Sequence, residues 1–118
     1  MALVEERKNL RIDSLHLLFY VCCDENNNEV MQGMGKTLNV SEGGIMLETH
    51  VSIDVELNVL LTIALEDDLM DFKGKIVNSR KREDGKFEYG IEFVEINHEK
   101  RLLLRQYMLI FKDPKYES

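Results

Sequence analysis

The sequence predicts an all-β domain, an antiparallel barrel or sandwich of about six strands, closed over by one C-terminal helix. Three observations carry this: short runs with strand periodicity, turn-forming clusters between them, and a change of period near the C-terminus.

Length and composition bound the problem first. A chain of 118 residues suits one domain with a single core. With 44% hydrophobic and 31% charged residues it is ordinary for a globular protein, which excludes global disorder. Residues 1–13 are charge-rich and weakly patterned, and read as an arm. Residues 14–118 read as the barrel with its helix, one domain overall.

From Ser14 to Cys23 the pattern is strand-like. Leu15, Leu17, Phe19 and Val21 share one face, and His16, Leu18, Tyr20 and Cys22 the other. Both faces are partly apolar, so this strand is expected to be covered on both sides. Asp24 to Asn28 is a turn cluster. Val30 to Val40 is a second strand, in which Gly33 and Gly35 suggest a bulge or bend. Ser41-Glu42-Gly43-Gly44 breaks the pattern, and Ile45, Met46 and Leu47 resume it. Val55–Ala64, Phe72–Lys81 and Phe87–Val94 complete the strands, with turns at Glu66-Asp67-Asp68 and Glu83-Asp84-Gly85. At Asn97, a credible N-cap, the period changes. Leu103, Leu104, Tyr107, Met108, Ile110 and Phe111 then recur at helical steps as far as Lys112, and Pro114 ends the pattern.

Charge limits function. At a net charge of −7 the chain repels a phosphate backbone, so sequence-independent binding to DNA or RNA is disfavoured. A compact anion remains possible because the cations are clustered, at Arg7, Lys8 and Arg11 and again from Lys73 to Arg82. The second cluster reads as a solvated face. Cys22 and Cys23 are adjacent, a poor geometry for a disulfide on a strand, and read as reduced thiols. No apolar run suits a signal peptide or a membrane span, so the expected location is the cytoplasm.

Three chemical look-alikes fail on detail. Gly35-Lys36-Thr37 lacks the glycine a P-loop needs at position 30, which is Val30. Ser41 lacks the glycine of a nucleophile elbow at Asn39. His16, His50 and His98 show no metal-ligand spacing. Two motifs remain. Arg7-Lys8-Asn9-Leu10-Arg11 sets two guanidinium groups on one side, a clamp for phosphate oxygens or a guanine edge. Asn39-Val40-Ser41-Glu42-Gly43-Gly44 sets an amide beside a hydroxyl, with Val40 facing the core and two glycines permitting a tight turn. Each alone has a bland reading: a solvated face for the first, an ordinary turn for the second.

In that order, R-x-x-x-R before the first strand and N-x-S-x-x-G at the end of the second, the two motifs resemble the PilZ family. The similarity extends to Gly90-Ile91-Glu92-Phe93 and the closing helix. The resemblance implies a six-stranded antiparallel β-barrel that binds the bacterial second messenger cyclic di-GMP. It assigns Arg7 and Arg11 to guanine and phosphate contacts and Asn39 to a guanine edge. Ser41 would support the same surface and Gly44 would shape the turn, with Lys8 and Gly43 as secondary candidates.

The resulting expectation is a receptor whose arm folds across the barrel when its arginines meet the ligand, signalling to an unidentified protein partner. No residue set supports bond-making chemistry, so neither an enzyme nor a cofactor is expected. Monomer and homodimer stay equally open. The rival reading is a PilZ-like adaptor that works by protein contacts without nucleotide.

Overall fold

The computed structural model describes residues 17–65 and 68–111. Its elements are β1 (Leu17–Cys23), β2 (Glu29–Val40), β3 (Gly44–Thr49), β4 (Asn58–Leu65), β5 (Asp68–Lys81), β6 (Phe87–Val94) and α1 (His98–Phe111). The strands form a closed barrel in the order β1-β2-β3-β6-β5-β4, every pair antiparallel, with β4 returning to β1. The six-stranded antiparallel barrel with its C-terminal helix is therefore as expected. The 1–13 arm, Ser14 to His16, the Glu66-Asp67 turn, Lys112 and Pro114 lie outside the described residues.

Alternation builds the core. Leu18, Tyr20 and Cys22 of β1 point inward with Ile45 and Leu47 of β3, Val59, Leu61 and Ile63 of β4, Phe72 of β5, and Tyr89, Ile91 and Phe93 of β6. On β1 the expected cover on both faces is not found among the described residues. The outer residues Leu17 and Phe19 remain 41% and 37% exposed.

The glycines of β2 do something other than bend it. Gly33 lies opposite Tyr20, where a Cβ would stand 2.8 Å from the phenol oxygen, and Gly35 abuts Leu47 at 2.7 Å. Both make room for large neighbouring side chains. The break in register falls later, between Thr37 and Asn39. It allows Thr37 and Val40 both to be buried, which an unbroken period of two forbids.

Several boundaries shift for local reasons. Val55 to Leu57 do not join β4, because Asp54 closes a turn: its carboxylate accepts from the Glu56 N–H, and its carbonyl from Leu57. Asp68, expected in a turn, instead pairs with Leu65 as the first residue of β5. The Asp24 turn forms as expected. The Asp24 carboxylate accepts from the N–H groups of Asn26 and Asn28, both at 2.9 Å, and Asn27 adopts a φ of 63°.

Asn97 caps α1 by accepting from the Lys100 N–H at 2.8 Å. The helix then lays Leu104 and Tyr107, both fully buried, onto the barrel core. The Tyr107 hydroxyl donates to buried Thr37 at 3.2 Å. Burial pushes the Tyr107 phenol up to about 12, although its bond to Thr37 opposes the shift.

Candidate functional site

At the end of β2 the chain turns on one hydroxyl. Ser41 Oγ accepts from the Gly43 N–H at 3.3 Å and the Gly44 N–H at 3.2 Å, and donates to the Gly44 carbonyl at 3.3 Å. A 2.8 Å backbone bond from Ser41 N–H to the same carbonyl closes the turn. The hydroxyl's donor and both acceptor sites are thereby committed locally. Ser41 in this way shapes the turn that follows Asn39.

Asn39 is exposed while Val40 is 3% exposed, as the alternation requires. Its amide oxygen accepts from the Val40 N–H at 2.9 Å. Its amide nitrogen makes no hydrogen bond among the described residues, which leaves a donor facing solvent.

The two glycines divide the work. Gly43 contributes its carbonyl to the Phe93 N–H at 2.9 Å, and a Cβ there would meet nothing closer than Ser41 Oγ at 4.0 Å. Gly44 is pressed onto β6, where a Cβ would come within 2.3 Å of the Ile91 carbonyl oxygen. It is β6 that approaches closely here, so the space at Gly44 is needed by the sheet itself.

Beside this turn lies an open concavity of about 360 Å³, lined by Asn39, Ser41, Gly43 and Gly44 together with Met46, Val77, Gly90 and Glu92. Sequence reasoning missed Met46, Val77 and Glu92 as members of this site. Val77 arrives through a second register shift, between Ile76 and Asn78, which pushes it out to 59% exposure. No local sequence signal marks that shift. Gly90 was noticed only as part of a strand motif. In the structure its missing Cβ makes room for the Asn78 side chain, which would otherwise lie within 2.6 Å. Apolar flanks from Met46 and Val77, with an amide donor at Asn39, suit a flat heterocycle with a polar edge.

Electrostatics leaves the concavity incomplete for an anion. Glu92 is its one charged lining residue, and no lysine or arginine lines it among the described residues. Of the β5 cations, Lys73 pairs with Glu95 at 2.9 Å. Arg82, the residue after β5, is only partly exposed and binds Glu48, Asp84 at 2.6 Å and Glu88 at 3.3 Å. Arg7, Lys8 and Arg11 lie outside the described residues. The chain enters β1 at Leu17, opposite Lys36, three residues before Asn39 on the adjacent strand.

A family model for the PilZ domain matches residues 5–109, a span that contains both motifs. The chain belongs to the PilZ domain family. Solved PilZ-type structures share its fold. The PilZ domain of YcgR from Escherichia coli, solved with c-di-GMP, superposes with a TM-score of 0.57 at 11% identity, over 83% of this chain and 84% of that one. The PilZ domain of CeSA from a cellulose-synthesizing bacterium gives 0.53 at 10% identity, over 84% and 96%. MrkH of K. pneumonia in its apo state gives 0.57 at 12% identity, over 80% of this chain but 46% of MrkH, so the chain spans under half of that protein. Among curated proteins, none matches the sequence significantly.

Proposed function

We propose that this PilZ domain is a cyclic di-GMP receptor and not an enzyme. The observation that carries the reading is a complementarity within the family match. The concavity offers apolar flanks and an amide but no lining cation among the described residues, while the matched span holds a paired-arginine motif just upstream of β1. Six steps of chain separate Arg11 from Leu17, a reach of at most roughly 20 Å. Asn39 lies only about 10 Å further along the neighbouring strand from Leu17's partner Lys36. The tether is thus long enough for Arg7 and Arg11 to supply the missing charge to a ligand seated at Asn39.

In this reading the arginines hold phosphates and guanine, Asn39 donates to a guanine edge, and Ser41 and Gly44 keep the turn in shape. Lys8 and Gly43 are secondary. Ordering of the arm over the concavity would change the surface shown to a protein partner in the cytoplasm. No helix among the described residues is long and apolar enough to cross a membrane.

Calorimetric titration tests the proposal. Saturable binding of cyclic di-GMP is expected, without comparable affinity for GTP, cyclic AMP or oligonucleotides. Absence of binding, or equal affinity for GTP in competition, would overturn it.

A further inference from the structure

Glu42 is the one charged residue in the turn from Asn39 to Gly44, and neither motif gives it a role. Its carboxylate accepts from Arg105 Nε at 3.2 Å, with an Arg101 guanidinium nitrogen 4.0 Å away. Arg101 and Arg105 are four residues apart on α1 and so share one face of the helix. Glu42 does not line the concavity. The ion pairs therefore brace the turn from outside the space a ligand would fill, and they do not compete for it.

The same helix holds the strand a second time. Tyr107, two residues beyond Arg105, donates to Thr37 at 3.2 Å. Thr37 precedes the register shift and Glu42 follows it, so α1 grips this segment on either side of Asn39, Val40 and Ser41. A shift in register leaves its strand less firmly specified by the ladder than regular pairing does. Contacts outside the ladder then set where Asn39 points.

We propose that Glu42 is a positioning residue that ties the ligand-facing turn to α1 through Arg105 and Arg101. Occupancy of the concavity and the placement of the helix are then coupled. The inference rests on the receptor reading above and adds its route of communication. Coupling of this kind is reciprocal: what loosens the helix contact weakens the ligand, and the ligand in turn steadies the helix. Half-exposed ion pairs contribute little to global stability, so the effect belongs to the turn and not to the fold.

The test compares the full chain with Glu42→Gln, Arg105→Gln and the double variant. Exchange of the Gly43 and Gly44 amides is followed without ligand, and affinity is measured with cyclic di-GMP. Each single change should speed exchange at both amides and weaken binding by about two- to fivefold, with the melting temperature unchanged. The double variant should be no worse than Glu42→Gln alone, because loss of the Glu42 charge already breaks its contacts with both arginines. Exchanging the charges, Glu42→Arg with Arg105→Glu, should recover most of the loss. Salt near 1 M, where the Debye length is about 3 Å, should erase the difference from wild type. Wild-type exchange and affinity in Glu42→Gln, or additive losses in the double variant, would overturn the coupling. Should the wild type bind no cyclic di-GMP, the receptor reading falls, and the exchange measurements decide the turn–helix coupling by themselves.

Discussion

A Cβ on Gly44 would lie 2.3 Å from the carbonyl oxygen of Ile91 on the adjacent strand. The obstacle is backbone in a paired ladder, Gly44 opposite Glu92 and Ile45 opposite Ile91, so it cannot swing aside like a side chain. Its neighbour Gly43 has 4.0 Å of clearance, and neither glycine has a positive φ. Gly44→Ala should therefore cost about 1–3 kcal/mol, the range for forced overpacking. Gly43→Ala should fall within about 0.5 kcal/mol of wild type. Urea unfolding of the two variants provides the comparison, and equal midpoints would contradict the close approach.

Arg11→Ala should weaken cyclic di-GMP binding far more than Lys81→Ala, although each removes one positive charge. A charge-assisted hydrogen bond to the ligand would be worth about 1.5–3 kcal/mol, or roughly ten- to a hundredfold in affinity. Lys81 lies on β5 with its ammonium over the Phe87 ring, away from the concavity lining. Asn39→Ala should cost less than Arg11→Ala, since its donor is neutral. Identical titrations for folded Arg11→Ala and Lys81→Ala would remove the arginine assignment.

Ser41→Ala should act through shape. Its hydroxyl holds two amides and a carbonyl of the turn, so its loss should speed exchange at Gly43 and Gly44 even without ligand. Weakened binding with unchanged free-state exchange would mean that Ser41 contacts the ligand directly.

Acid should destabilise the β5–β6 hairpin. The Asp84 carboxyl is held below its ordinary 3.8, first by the Lys86 backbone N–H and then by the Arg82 side chain. Glu95 is lowered from 4.5 by its bond to Lys73. A lowered native value means that this contribution is complete above the unfolded value and is lost as pH falls through the native one. Stability should thus decline as pH drops below about 4. Asp84→Asn should be less stable at neutral pH and show a shallower decline, as read from urea midpoints across the range. An unchanged slope would show that the Asp84 contacts do not persist in solution.

The two thiols should differ in reactivity. Cys22 is fully buried, and burial, with the neighbouring Cys23 as a second cause, pushes its thiol up to about 11. Cys23 is half-buried. A native sample should release one thiol equivalent to an aromatic disulfide reagent quickly and the second only on unfolding. Two fast equivalents would place Cys22 outside the barrel interior.

Local patterns were readable wherever one face of an element differed plainly from the other, or where a side chain acts on its own backbone. Phe87–Val94 reads as a strand to the residue, and the Asn97 cap and the Asp24 turn follow from bonds spanning two to four positions. The two motifs could be seen because each lies within six residues. On these grounds the sequence alone determined the barrel-and-helix architecture, the family and the turn from Asn39 to Gly44. Tertiary structure alone decided which face of β1 turns inward, because Leu17 and Phe19 are as apolar as Leu18 and Tyr20 and alternation does not choose between them. It also decided the register shifts at Leu38 and Val77, the β6 backbone against Gly44, and the hold of Arg105 on Glu42, which is 63 positions away. Periodicity reports only neighbours along the chain, whereas each of these depends on how closing the barrel sets one strand, or the helix, against another.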